Sequence, residues 1–247
     1  MGSVTVVTSG KGGAGKSTVA VGLGEALCRR SHRVLLIDGD AGLRSLDRML
    51  GISSSLVFDI SDVVAGNCEP FSAVYPCKSC LGLSLLPAPG REEDTVSPSI
   101  MKQLTGLLKG YYDHILIDCP AGVGRGFFSA ISASDRAVVV SSADPVSVNA
   151  ADRVRELLLD SGIGDMRLLL NRFSRADFEE IGAYEDLDEV IDACSLQLLG
   201  IVPKDQSVLS FLSAHGALSG KSPAGAAFTR IAARLDGEHC PLVIPKK

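Results

Sequence analysis

"VTVVTSGKGGAGKSTVAVGL", residues 4–23, joins a β-branched apolar run to a glycine-rich turn and then to a helical pattern. Residues 4–8 predict a buried strand that feeds a loop. Residues 10–17, "GKGGAGKS", fit G-x-x-x-x-G-K-[ST]. In that pattern the backbone curls so that several N–H groups converge on phosphate, and the next helix points its positive end at the anion. Gly12, Gly13, Ala14 and Gly15 supply the curl, and Lys16 supplies a point charge. The Ser17 hydroxyl is a ligand for Mg²⁺, with Thr18 beside it in the first helical turn. A second lysine, Lys11, opens the loop, and phosphate binding alone does not call for it.

Working outward, the same alternation recurs. Apolar runs at 33–38, 83–88, 114–119, 136–142, 167–171 and 198–203 predict strands. Helical stripes lie between them, as in Ile100, Leu104, Leu107 and Leu108, or Val148, Ala151, Val154 and Leu158. A last helix is marked by Ser222 as its cap, Pro223 in its first turn, and Ala224, Ala227, Phe228, Ile231 and Leu235 on one face. The strand runs are continuous rather than alternating, which suits strands covered on both faces. The expected fold is a doubly wound α/β domain, a mostly parallel sheet flanked by helices. It spans residues 1–237, and 238–247 form a short tail.

Three carboxylates fall at carboxyl ends of predicted strands beside this loop. "DGD" places Asp38 and Asp40 after one strand, and "DCPAG" places Asp118 after another, with Gly122 free to approach a γ-phosphate. Such carboxylates bind or support Mg²⁺ in phosphoryl-transfer sites.

Composition bounds the function. Of 247 residues, 46% are hydrophobic and 21% charged, so the chain folds rather than staying disordered. Lys and Arg number 24 against 29 Asp and Glu, a net charge of −5, so no general basic field exists to draw nucleic acid or anionic lipid. The first residues lack a secretory signal pattern and no apolar run is long enough to span a bilayer, so a cytoplasmic location is expected. Seven cysteines, an odd number at irregular spacing, predict free thiols. His32, His114, His215 and His239 are scattered without metal-ligand spacing, and structural or surface roles are expected for them.

The loop with its leading lysine, "KGGAGKST", resembles the deviant Walker A motif of the MinD/ParA family of P-loop ATPases. "LLIDGDAGLRSLDRMLG" (35–51), "DCPAGVGRGF" (118–127) and "GIVPKDQSVL" (200–209) resemble the MinD side of that family. The likeness runs from residue 4 to about residue 235. The resemblance implies an ATPase that forms an ATP-bound sandwich homodimer and hydrolyses ATP to ADP and phosphate in division-site placement. It implies that Lys16 and Ser17 hold triphosphate and Mg²⁺, and that Asp40 positions the attacking water. Asp38 and Asp118 then support the metal. Asn171 reads the adenine edge, Pro203 and Asp205 line the base pocket, and Lys11 reaches the phosphates of the other subunit. A MinC-like or MinE-like partner is implied as well.

Departures from the family pattern accompany the likeness. The tail "DGEHCPLVIPKK" has two prolines and a single lysine pair, unlike the amphipathic helix with which MinD proteins bind membrane. Stable membrane attachment is therefore not expected, beyond a peripheral contact at the inner face of the cell membrane. Gly124 stands where an acidic residue is common. On the partner-facing helix, Asn149 and Ala150 replace a charged pair, although Arg44 and Asp152 match. Besides a regulatory ATP sensor that recruits a partner without a membrane, two other readings remain open at this level. One is a ParA-like DNA or cargo positioner, which needs a basic surface. The other is a metal-cluster carrier using Cys77 and Cys80, a C-x-x-C pair for which free thiols are the simpler expectation.

Overall fold

Val7 lies between Asp118 on one neighbouring strand and Val138 on the other, all three strands running the same way. That register is the centre of the sheet and puts the end of the first strand beside the "DCPAG" turn. The structure, a computed structural model, describes residues 2–78, 80–208, 210 and 218–245. In chain order the elements are β1 (Ser3–Thr8), α1 (Lys16–Arg29), β2 (Val34–Asp38), α2 (Ser45–Met49), α3 (Ile60–Ala65), β3 (Tyr75–Pro76) and β4 (Leu83–Leu86). Then come α4 (Pro98–Leu108), β5 (His114–Asp118), α5 (Arg125–Ser132), β6 (Arg136–Ser141), α6 (Pro145–Asp160) and β7 (Met166–Phe173). The chain continues through α7 (Arg175–Ile181), α8 (Leu187–Cys194), β8 (Leu198–Pro203) and α9 (Pro223–Leu235).

The sheet has eight strands in the order β3-β4-β2-β5-β1-β6-β7-β8. Every pairing is parallel except β3 with β4. The mostly parallel, doubly wound sheet is thus present. Each expected strand appears with ends shifted by at most two residues. The antiparallel β3 was not foreseen. Two residues cannot show a period, and Pro76, which lacks an N–H, suits only an edge.

The continuous apolar strands divide their side chains between two cores. Val4, Val6, Leu35, Ile37, Ile115 and Ile117 face the layer formed by α4, α5, α6 and α8. Val7, Val34, Leu36 and Leu116 face α1 and α9. Alternate residues point to opposite faces, so two covered faces need apolar residues at every position. In α9, Ser222 accepts from the Gly225 N–H at 3.1 Å and Pro223 occupies the first turn, as expected from the sequence. Residues 238–245 carry no helix, although the Cys240 carbonyl accepts a hydrogen bond from Arg234 Nε at 2.8 Å. Among the described residues no helix is long and apolar enough to cross a membrane.

Candidate functional site: a phosphate loop over two buried carboxylates

The loop between β1 and α1 is shaped by close contact with two other elements. At Gly10 a Cβ would sit 2.1 Å from the Ala150 carbonyl oxygen of α6, so only glycine lets this backbone pass. Gly15 caps α1 with φ of 91°, a left-handed conformation that side chains resist. Its neighbour Ala14 is held from across the sheet: Asn171, at the carboxyl end of β7, donates from Nδ2 to the Ala14 carbonyl at 2.8 Å. Arg172 adds a hydrogen bond to the Gly13 carbonyl.

Inside the loop, Lys16 is 8% exposed. Its Nζ donates to Ser9 Oγ at 3.2 Å, and Ser9 Oγ donates to the Lys11 carbonyl at 2.9 Å. Lys11 itself is exposed at the loop mouth. Its charge is felt by Asp144, the cap of α6. Burial pushes that carboxyl up, but hydrogen bonds from Ser147 and the Lys11 charge leave it below the usual carboxylate range.

Beneath the loop, the register sets Asp38 directly beside Asp118 on adjacent parallel strands. Asp38 accepts from the backbone N–H of Asp40 at 3.0 Å and of Leu46 at 3.1 Å. Asp118 is more isolated. Ser17 lies close enough to favour its charged form, but Oδ1 has no hydrogen-bond partner. Desolvation therefore lifts Asp38 to about 6, against the pull of its two N–H donors. The Asp118 pKa rises to about 8, through burial first and the Asp38 charge second, while Ser17 and Lys16 pull the other way. At neutral pH the pair therefore holds one proton, on Asp118, and a cation placed beside it would release that proton. Ser17 Oγ also receives a hydrogen bond from Ser45 Oγ at 3.2 Å, which brings the start of α2 into the same cluster.

These features fit Mg²⁺ and a phosphate chain. A buried carboxyl oxygen without a partner, beside a serine hydroxyl and a second carboxylate, is a hard-oxygen donor set. Gly12, Gly13 and Gly122 have nothing within 4 Å of where a Cβ would stand, so the backbone is open to an anion there. Asp40 is half-buried, on the rim of a cleft of about 930 Å³ whose lining includes Gly39, Thr95, Pro120 and Arg125.

The remaining expected residues sit farther along the same edge. Pro203 ends β8 opposite Phe173. Asp205 follows, and its carboxylate accepts from the Ser207 N–H at 2.8 Å and from the Ala224 N–H at 2.9 Å, tying the chain after β8 to the start of α9. The sequence reading passed over Ser9, Ser45 and Arg172. Ser9 makes two local contacts inside the loop, with the Lys11 carbonyl and Lys16 Nζ, whereas Ser45 and Arg172 each reach it through one contact set by the tertiary fold. Cys77 is buried and Cys80 half-buried in the β3–β4 connection, near Cys28 of α1; Ser79, between the pair, lies outside the described residues. The expectation that the histidines are scattered needs correction. His32 and His114 meet at the opposite edge of the sheet, since β2 and β5 are neighbours. His215 lies outside the described residues.

The chain resembles known proteins along nearly its whole length. The ParA family model, described as "NUBPL iron-transfer P-loop NTPase", matches residues 1–235. The septum site-determining protein MinD of Bacillus subtilis is 39% identical, with 99% of this chain and 92% of that protein aligned. MinD of Synechocystis is 37% identical, over 98% of this chain and 92% of its own length. The MinC:MinD cell division protein complex of Aquifex aeolicus superposes with a TM-score of 0.89 at 35% identity, covering 98% of each chain. MinD of Pyrococcus horikoshii complexed with Mg-ADP superposes with a TM-score of 0.86 at 27% identity, covering 96% of each chain.

Proposed function

This chain belongs to the ParA family of P-loop NTPases, among its MinD proteins, and from that premise we propose that it is a MinD-like ATPase. It takes ATP as a sandwich homodimer, hydrolyses it to ADP and phosphate, and acts in division-site placement. One observation carries the reading. The phosphate loop stands over a buried Asp38–Asp118 pair whose charge calls for a cation beside Ser17.

In this reading, Lys16 leaves Ser9 for the phosphates, a short move for a side chain already inside the loop. Ser17, Asp38 and Asp118 hold Mg²⁺, directly or through its waters. The ion, when bound, neutralises phosphate charge and lets both carboxylates ionise. Asp40, on the open rim beside them, orients the attacking water. Gly122 lets backbone approach the γ-phosphate. Asn171 holds the loop through Nδ2 and offers its carbonyl oxygen to the amino group of adenine, while Pro203 and Asp205 border the base. Negative charge spreads over the transferred phosphoryl oxygens, and an added cation stabilises it. Lys11, exposed at the mouth, supplies that cation to the other subunit, so hydrolysis waits on assembly. A MinC-like protein is the partner suggested by the Aquifex aeolicus complex.

ATPase activity measured with and without lipid vesicles, on the wild type and Lys11→Ala, tests the proposal. The wild type is expected to turn over slowly and to dimerise with ATP. The variant is expected to retain nucleotide binding and lose turnover. Full activity in Lys11→Ala would refute the cross-subunit role, and absence of nucleotide binding in the wild type would refute the ATPase.

A further inference from the structure

At the edge of the sheet remote from the phosphate loop, three side chains from three elements converge. His32 precedes β2, His114 opens β5, and Asp236 ends α9. Asp236 stands between the two imidazoles. His32 Nε2 lies 3.0 Å from its Oδ2, and His114 Nε2 lies 3.1 Å from its Oδ1. The rings meet edge to face with centroids 4.7 Å apart. The three ligand atoms lie within 4.8 Å of one another. Side-chain exposures of 31% for His32, 8% for His114 and 12% for Asp236 leave one open side.

We propose that His32, His114 and Asp236 bind a divalent transition-metal ion of the zinc class, which pins the end of α9 to the starts of β2 and β5. Two imidazoles and a carboxylate are donors that Zn²⁺ accepts, with water in the fourth position. Tetrahedral ligation sets ligand atoms about 3.3 Å apart. The His114 Nε2–Oδ1 separation is within a few tenths of an ångström of that, and His32 Nε2, which now faces Oδ2, must close by no more than about 1.5 Å on the other two ligand atoms.

The surroundings prepare the ligands. Arg30 Nε donates to Asp236 Oδ2 at 2.7 Å, which anchors one carboxylate oxygen and leaves Oδ1 for the ion. Ser3 Oγ is 3.3 Å from His114 Nδ1. An N–H donated to that hydroxyl puts the lone pair on Nε2, the ligating form. Arg136, the other nearby cation, directs its N–H groups to Thr5 Oγ1, the Leu235 carbonyl and Ser3 Oγ. In the metal-free cluster a neutral His114 donates from Nε2 to Asp236 and accepts at Nδ1 from Ser3; ligation at Nε2 moves the proton to Nδ1, where Ser3 Oγ accepts it, and leaves the Arg30 and Arg136 contacts in place.

Calorimetric titration of the untagged full chain with Zn²⁺, in excess Mg²⁺, tests this. One equivalent is expected to bind, and the melting temperature is expected to rise. His32→Asn and Asp236→Asn are each expected to weaken binding at least tenfold. His32 is partly exposed, so its variant is expected to keep the wild-type circular dichroism. A second readout uses Co²⁺ as the probe. Imidazole and carboxylate ligation gives visible bands without the intense ultraviolet band of cobalt thiolate. Lack of stoichiometric binding, unchanged affinity in both variants, or a thiolate band that moves the metal to the cysteines would each overturn the proposal. In the first case the trio is an ion-paired hydrogen-bond cluster only.

Discussion

Replacing Asp118 with asparagine should make the protein more stable and abolish its response to Mg-nucleotide. The carboxyl is fully enclosed at the end of β5, next to Asp38, with Oδ1 unpartnered, and its pKa rises from 3.8 to about 8. The sign follows from proton linkage. A raised acid pKa means that the folded chain holds a proton which the unfolded chain releases. Stability from this group is therefore fully present below about pH 4 and falls as pH rises toward 8. At pH 7, about three pH units above the ordinary carboxyl value, the ceiling on the penalty is about 4 kcal/mol at ~1.36 kcal/mol per unit. Relaxation around the group reduces the expected gain for Asp118→Asn to about 1–3 kcal/mol. Asparagine keeps the size and removes the charge. Urea denaturation without nucleotide, at pH 5 and pH 8, measures the effect. The variant's advantage should be larger at pH 8. If Asp118 serves Mg²⁺ as proposed, Mg-ADP should raise the wild-type midpoint and leave the variant's unchanged. A destabilised variant, or an advantage independent of pH, would show that the buried pair is not the charged strain argued here.

The same logic applies to Glu25 on α1, which is buried, accepts from the Leu218 N–H at 2.9 Å, and is pushed up to about 7 mainly by desolvation. Glu25→Gln should gain about 1–2 kcal/mol at pH 8 and nothing at pH 4, measured by chemical denaturation. Gly10→Ala should cost about 1–3 kcal/mol and weaken ADP binding, because the new methyl meets the Ala150 backbone rather than a side chain that can yield; a melting curve and a fluorescent-nucleotide titration check both. Asn171→Ala should leave the Ala14 carbonyl without its 2.8 Å donor. Nucleotide affinity should fall about 5- to 30-fold, for a loss of about 1–2 kcal/mol.

Much of the site was legible in residues 4–23, because a phosphate loop is local. Its glycines, its lysine and its serine are neighbours in sequence, and the strand before and helix after follow from apolar periodicity. Asp38, Asp40 and Asp118 could be placed at the sheet's carboxyl edge, since parallel strands end together. The supports of the loop were not legible. Ser45, Arg172 and Ala150 each reach it from a distant segment, through contacts set by strand order and helix docking. Short helices such as α2 and α7 carry too few residues for a helical period to stand out.

By itself, then, the sequence determined the fold class, the phosphate loop and the carboxylates that attend it, because alternating patterns and local motifs need no distant partner. The tertiary structure decided which groups share a charge environment. Only the insertion of β5 between β2 and β1 makes Asp38 and Asp118 compete for one proton, and the same insertion brings His32 to His114 at the other edge. Coulomb and desolvation energies depend on distance through space and on burial, and strand order sets both.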